Sequence, residues 1–486
     1  MFEALVHSNG NLFSTKSGGP YLTTPVSSNK NMLGFTGTWM VGVVDTTIYA
    51  NQNYTWEKPQ LWPGPIDTVT LLPKDALDWS KVWTVKQEEV KYHRNNFQES
   101  NYIIPENIKN WPARHSDNNI NSFMAPFIDW NSNGIYDPEN GDYPSFLGDY
   151  AAYFISNDLY GENSFPLENK MGIEIQGLLY AYENAQVSNV IFAKYFVINR
   201  SKQDYKPFYF GQYMHLTLGN NMDNYVGTDV TRNMVFGYNG DADDEGDFGY
   251  GNELPSVACV YLNKSLHASN CFNNTDTVRE IPKTEVGMHN VMEGLWQNGG
   301  KKYAKANGIK GSEAEVTKYI YPGESESSVS ALNWMDKNSG DNPGDRKVLG
   351  ATKYDELKAG DYKQIEFAFV FNKNSNDQIA ELQQKVDDCV SFYNKNLSVS
   401  SLELKQEINV YPNPFVLTKH NELIVSGLEV YLLDVNGRLV ERLQNVENTE
   451  KKFKISCSEK LQQGIYYIKA VTYKGITVSK LIVTTN

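Results

Sequence analysis

The sequence predicts a mainly β protein: a large, decorated β-sandwich-like domain, one amphipathic helix near its end, and a small C-terminal β-sandwich. Two observations carry that expectation. Short runs of β-branched and aromatic residues recur between clusters of Gly, Pro, Asn and Asp, the spacing of strands and turns. At 486 residues the chain also exceeds the roughly 250 to 300 residues that one core fills, so it divides into domains.

Val190–Asn199 (VIFAKYFVIN), Phe208–Leu218 and Gln364–Phe371 (QIEFAFVF) have strand length and composition and are expected in the core. Such strands lie far apart and no repeat of roughly 20 to 50 residues connects them, which points to a non-local sandwich with long loops. Between about 376 and 394, Ile379, Leu382, Val386, Cys389 and Tyr393 recur at alternating three and four, the stripe of a helix packed on its own domain. The large domain is therefore placed at 1–396, a polar, Ser-rich linker at 397–409 and a second domain at 410–486.

A formal charge of −14 with no Lys/Arg run argues against nucleic acid as a partner. No stretch approaches the roughly eighteen apolar residues of a membrane-spanning helix, so no membrane span is expected. The four cysteines, Cys259, Cys271, Cys389 and Cys457, lack zinc-site spacing; Cys259 and Cys271 are close enough for a local bridge, or are two small buried thiols. The start, Met-Phe-Glu-Ala-Leu-Val-His, has no basic n-region, apolar h-region or cleavage site and is not a signal peptide.

HExxH, G-x-S-x-G, Walker A and G-x-G-x-x-G-helix signatures are absent, and the seven histidines are scattered, so the expectation is not an enzyme. The alternative is a secreted carbohydrate-active hydrolase using paired carboxylates, whose defining separation is spatial. Trp62, Trp111 and Trp130, on Pro-rich loops, are either sugar-stacking platforms or packing plugs.

The most specific chemistry is Asp129-x-Asn131-x-Asn133-Gly134-x-x-Asp137. Calcium takes six to eight hard oxygens, and alternating Asp and Asn on a Gly-turned loop deliver them to one centre. The expected ligands are Asp129, Asn131, Asn133, the Ile135 carbonyl and Asp137, with Glu139 or Asp142 closing the shell. Asn140 stands where an EF-hand has its bidentate Glu, and Pro126 argues against an entering helix. The bland alternative is a loop held by Asx turns. Asp241, Asp243, Asp244, Glu245 and Asp247 form a second acidic cluster, either a cation site or a solvated loop.

The last residues carry Val410-Tyr-Pro-Asn-Pro-Phe415, then Val430-Tyr-Leu-Leu-Asp-Val-Asn-Gly-Arg-Leu-Val440, Gly464-Ile-Tyr-Tyr-Ile-Lys-Ala470 and Lys480-Leu-Ile-Val483. Asn436-Gly437 between two apolar runs is a type I′ hairpin signal, and Pro412 and Pro414 belong at an edge or turn. In this order at the chain end, the four segments resemble the type A sorting domain of type IX secretion system substrates of Bacteroidetes, an Ig-like β-sandwich. That resemblance implies a signal peptide to the periplasm, recognition by the type IX translocon, removal of the tail by a sortase-like peptidase, and a secreted, extracellular or cell-surface location.

Trp62-Pro-Gly-Pro65, Asp129–Pro138, Gly141-Asp-Tyr-Pro144, Asn224–Asp229, Pro343-Gly-Asp-Arg346 and Lys358-Ala-Gly-Asp361 resemble an uncharacterised family of secreted surface proteins in the same bacteria. In that family acidic residues are expected in the segment 213–219, where this chain has His215 and Thr217, although Asp223 and Asp229 remain nearby. The larger domain is accordingly expected as a binding or surface module whose partner is a glycan or another surface protein.

Overall fold

The computed structural model describes residues 2–15, 19, 21–26, 28–53, 59–114, 124–131, 133–161, 169–273, 276–374, 377–397, 410, 412–413, 415–417, 422–425, 429–433, 439–445, 452–455, 461–472 and 475–484. Two compact units result: Met1–Ile128 with Ile135–Val390, and Asp129–Gly134 with Ser391–Asn486. Apart from Leu397, the linker expected at 397–409 lies outside the described residues.

In the larger unit the principal strands are β1 (Phe35–Val44), β2 (Thr47–Gln52), β3 (Trp62–Pro63), β4 (Trp83–Lys86), β5 (Tyr150–Asn157), β6 (Ile173–Ala181) and β7 (Val190–Asn199). They continue with β8 (Phe208–His215), β9 (Asn224–Asp229), β10 (Met234–Asn239), β11 (Leu254–Tyr261), β12 (Ala268–Phe272), β13 (Lys347–Tyr354) and β14 (Tyr362–Asn374). Helices α1 (Gln87–Asn96) and α2 (Glu285–Glu293) interrupt them and α3 (Gln378–Asn396) follows. A nine-stranded sheet runs β9-β10-β11-β14-β7-β6-β5-β3, with β4 also on β5; a five-stranded sheet runs β12-β13-β8-β1-β2. Central strand β14 joins β7 and β11 antiparallel, so the sheet is held together by pairings distant in sequence, as expected.

The period-two pattern shows why these segments are strands. Ala193, Tyr195 and Val197 of β7 and Ile365, Phe367 and Phe369 of β14 share one core with Phe208, Phe210 and Met214 of β8. The intervening residues of the five-stranded sheet, Trp39, Tyr209, Tyr213 and Leu349, pack instead against Met288, Val291 and Met292 of α2. Strand β14 also buries Ala368 and Val370 on its other side, and burial on both faces produces near-continuous apolar runs. Fully burying a side chain such as Phe367 contributes about 1.5–3 kcal/mol.

Helix α3 follows the predicted stripe, with Leu382, Val386 and Cys389 buried. The Gln378 amide fixes its start, accepting from the Asn239 N–H (3.0 Å) and donating to the Asn239 carbonyl (2.9 Å). Of the two alternatives for Cys259 and Cys271 the structure has the buried thiols: Cys259 lies in β11 and Cys271 in β12, on different sheets, and both are free. Burial pushes Cys271 up to about 12, which makes it an inert core residue. Cys457 lies outside the described residues.

The long loops are held by buried charge. Arg346 pairs with Asp336 at 3.0 Å, both essentially solvent-free, and Asp336 Oδ2 also accepts the Val226 N–H (3.0 Å). Lys302, fully buried, donates to the carbonyls of Ser269 (2.8 Å), Gly294 (2.9 Å) and Lys318 (3.0 Å). These contacts substitute for the ladders that loops lack.

In the smaller unit a seven-stranded path wraps a separate core containing Val430, Leu432, Ile468, Ala470, Leu481 and Val483. Glu429–Leu433 and Leu439–Asn445 form the antiparallel pair that the Asn-Gly signal predicted; the turn itself lies outside the described residues. Asn413, in the Pro-Asn-Pro segment, donates to the Lys480 carbonyl (2.7 Å) and accepts from the Ile482 N–H (2.9 Å), so its side chain imitates a strand partner at the sheet edge.

Candidate functional site

The 129–142 loop divides between the two compact units after Gly134. In its first part the Asp129 carboxylate accepts from the backbone N–H groups of Asn133 (3.2 Å) and Gly134 (2.8 Å), and Asn131 Oδ1 accepts from Asn133 (3.1 Å). Gly134 has φ +81°, the left-handed turn that its residue type supplied. In the second part Asp142 is fully buried and its Oδ2 accepts the Asp137 N–H (2.9 Å), while Asp137 Oδ2 accepts from the Asn140 amide (2.8 Å). Ile135 is half-buried and Glu139 exposed. Of these bonds, the one from the Asn133 N–H to Asn131 Oδ1 is an Asx turn. A carboxylate oxygen offers two acceptor sites, so one N–H bond does not use up its capacity to ligate a cation.

Sequence reasoning did not find the support beneath this loop. Buried His93, on α1, has Nε2 at 3.0 Å from the Asp142 carbonyl and Nδ1 at 3.0 Å from the Tyr102 hydroxyl. Burial holds that imidazole below its usual pKa, so it stays neutral and positions the backbone at Asp142.

The second acidic cluster splits in two. Asp241, Asp243, Glu245 and Asp247 are exposed, whereas Asp244 is buried and accepts the N–H groups of Asn220 (2.8 Å) and Tyr250 (2.8 Å). Gly219 is required here, with φ +49° and a position where a Cβ would stand 1.9 Å from Asp244 Oδ2. Burial, then Asp241, raises Asp223 to about 6; its carboxylate accepts from the Asn239 amide (2.8 Å). His215 pairs with Asp345 (2.8 Å). Among the described residues no group of three or more His, Cys, Asp and Glu side chains is arranged to hold a metal.

Beside this acidic loop opens a cavity of about 450 Å³. Tyr21 and Phe248 line it together with Ser28, Asn29, Asn31, Thr217 and Asn221, and among the described residues its lining side chains are uncharged. A second cavity, about 390 Å³, lies between β9, β10, the 321–335 segment and the start of α3. Of its carboxylates, Asp229 is committed to Arg232 (2.9 Å), Thr231 (2.6 Å) and Gln383 (3.0 Å). Elsewhere Glu293 is similarly engaged: burial alone would raise its pKa, but hydrogen bonds from Tyr209, Lys353 and Lys318 hold it well below the usual range.

Of the tryptophans proposed as sugar platforms, Trp111 is fully buried and donates to the Pro126 carbonyl (2.9 Å), the role of a packing plug. Trp62 is half-buried, with Lys170 over its ring. Phe248 is an exposed aromatic beside a cavity, which no sequence motif marked; its only signal was an aromatic ring among Asp and Gly.

Residues 409–484 match the family described as the secretion system C-terminal sorting domain. No curated protein matches the chain. Among solved structures, the chain is similar to the N-terminal domain of the Streptococcus gordonii adhesin Sgo0707, at 7% identity over 70% of this chain and 81% of that one. The TM-score of 0.11 is too low to carry any argument about fold or function.

Proposed function

Because residues 409–484 are a type IX secretion sorting domain and the chain is therefore an exported protein, we propose that it leaves a Bacteroidetes cell through the type IX translocon, loses its tail to a sortase-like peptidase and works extracellularly or on the cell surface. The larger domain is a non-enzymatic binding module, with a glycan or another surface protein as partner. The single observation that carries the export route is the matched tail, with its own core and its own sheet. A non-enzymatic role is supported by carboxylates such as Asp229 and Glu293, which are committed to hydrogen bonds within the fold. No helix among the described residues is long and apolar enough to cross a membrane. Calcium on the 129–142 loop belongs to the same proposal, with Asp129, Asn131, Asn133, the Ile135 carbonyl and Asp137 as ligands and Glu139 or Asp142 closing the shell.

The test is export in the native host. Deleting 410–486 should hold the chain in the periplasm, and appending the same residues to a periplasmic reporter should bring that reporter to the surface. A truncated chain that still reaches the surface would overturn the proposal.

A further inference from the structure

We propose that the 450 Å³ cavity between Tyr21 and Phe248 is a subsite for a neutral sugar, an inference that rests on the binding role proposed above for the larger domain. Its volume lies in the range of about 300–1,000 Å³ of small-ligand sites. Three observations select the ligand class. Phe248 is 56% exposed at the rim, an apolar face held in water beside a cavity, and Tyr21 is half-buried in the wall with its hydroxyl donated to Glu3 (2.9 Å). These rings offer faces against which the C–H side of a pyranose packs. The rest of the lining is mainly the hydroxyls and amides of Ser28, Asn29, Asn31, Thr217 and Asn221, which exchange hydrogen bonds with sugar hydroxyls as donors and as acceptors. Finally, none of the described lining side chains is charged, so at these walls an ionised ligand would lose hydration without gaining a counter-charge. The neighbouring exposed carboxylates at 241, 243, 245 and 247 repel anions in particular, which disfavours acidic sugars and nucleotides.

The walls come from three separate segments, and each is pinned to another. The Asn29 amide donates to the Asp247 carbonyl (2.8 Å), the Gly219 N–H donates to the Asn31 carbonyl (2.9 Å), and Asp244 holds Asn220 and Tyr250. A site held in this way loses less freedom when a ligand arrives, so a small, weakly contacted sugar is retained.

The experiment is calorimetric titration of the full chain with glucose, galactose, mannose, N-acetylglucosamine, lactose and cellobiose, with glucuronic acid as the charged control. We expect millimolar binding of at least one neutral sugar and none of glucuronic acid. Phe248→Ala should weaken binding at least tenfold and Asn221→Ala several-fold; both residues are exposed, so their melting temperatures should match the parent. Neutral-sugar binding that survives both substitutions places the sugar elsewhere, which overturns the subsite but leaves the binding role standing. No binding of any neutral sugar overturns the subsite, and the binding role then rests on capture of a surface protein. Release of new reducing ends from lactose or cellobiose would instead overturn the non-enzymatic role.

Discussion

The tail and the larger domain disclose their functions to very different degrees, and the cause is where each keeps its recognition chemistry. In the tail, one contiguous stretch of under a hundred residues holds the core, the edge clamp and the match to the sorting family. The larger domain assembles its candidate subsite from Tyr21–Asn31, Thr217–Asn221 and Phe248, three segments that only the fold brings together. A function written in one segment is legible as a motif. One distributed over loops becomes visible only with the structure.

If the two regions are separable in this way, damage to one core should leave the other intact. The largest effect is expected from Asp336→Asn, which keeps an acceptor for Val226 but leaves the Arg346 guanidinium buried without its charge partner. Breaking such a buried pair costs about 3–5 kcal/mol. Calorimetry of the full chain should show the large-domain transition falling while the tail transition stays in place. A joint shift of both would mean the two cores are not energetically separate.

The next effect sharpens the contrast between chemistry read from spacing and chemistry seen in the structure. If the 129–142 loop takes calcium, the ion stabilises the fold by about 2.7 kcal/mol at one hundred times its dissociation constant. Asp129→Ala and Asp137→Ala should abolish the difference between melting curves recorded with calcium and with chelator. If the parent shows no such difference, the hydrogen bonds of Asp129 and Asp142 are the whole of what the loop does.

A third effect lies in a group that no pattern announced. Burial raises the Asp158 carboxyl to about 6, even though it accepts the N–H groups of Met171 (2.5 Å) and Ile173 (2.8 Å). Its folded pKa exceeds the unfolded value near 3.9, so the protonated group favours the fold. That contribution is complete below about pH 3.9 and is lost as pH rises through about 6. Asp223 acts in the same direction. Parent stability should therefore increase as pH drops from 7 to about 5, and Asp158→Asn should flatten that rise. An unchanged slope in the variant would assign the pH dependence to other groups.

Much of the fold was legible because it is local in pattern: β7 and β14 carry strand-length apolar runs, and Leu382, Val386 and Cys389 carry the helical stripe. Phe208–Leu218 was read three residues too long, because Leu216 and Leu218 are buried as fully as strand residues although β8 ends at His215. Helix α2 was not foreseen; its apolar residues Met288, Val291 and Met292 sit among glycines and polar residues, and packing on the five-stranded sheet rather than propensity holds it. The state of Cys259 and Cys271 was undecidable in sequence because twelve residues of separation are compatible with either a hairpin or two sheets. Phe248 was invisible because exposure is not a property of one residue type.

The smallest effect tests whether the tail motif is read as a surface or only stabilises a fold. Pro412 and Pro414 cannot supply N–H groups to the sheet edge, and between them Asn413 provides both a donor, to Lys480, and an acceptor, for Ile482. Losing that clamp in Asn413→Ala should cost about 1 kcal/mol, since exposed hydrogen bonds contribute little net. For a domain of this size the melting transition of the tail should fall by about 4–8 °C. Ile468→Val, a trim of the fully buried core, should cost a similar amount, about 0.5–1.5 kcal/mol, without touching the Pro-Asn-Pro segment. If the translocon engages that segment, Asn413→Ala should reduce surface delivery well below Ile468→Val at matched stability. Equal losses would show that the segment contributes to export only by holding the last strand, and the legibility of the tail would then reflect its fold more than its label.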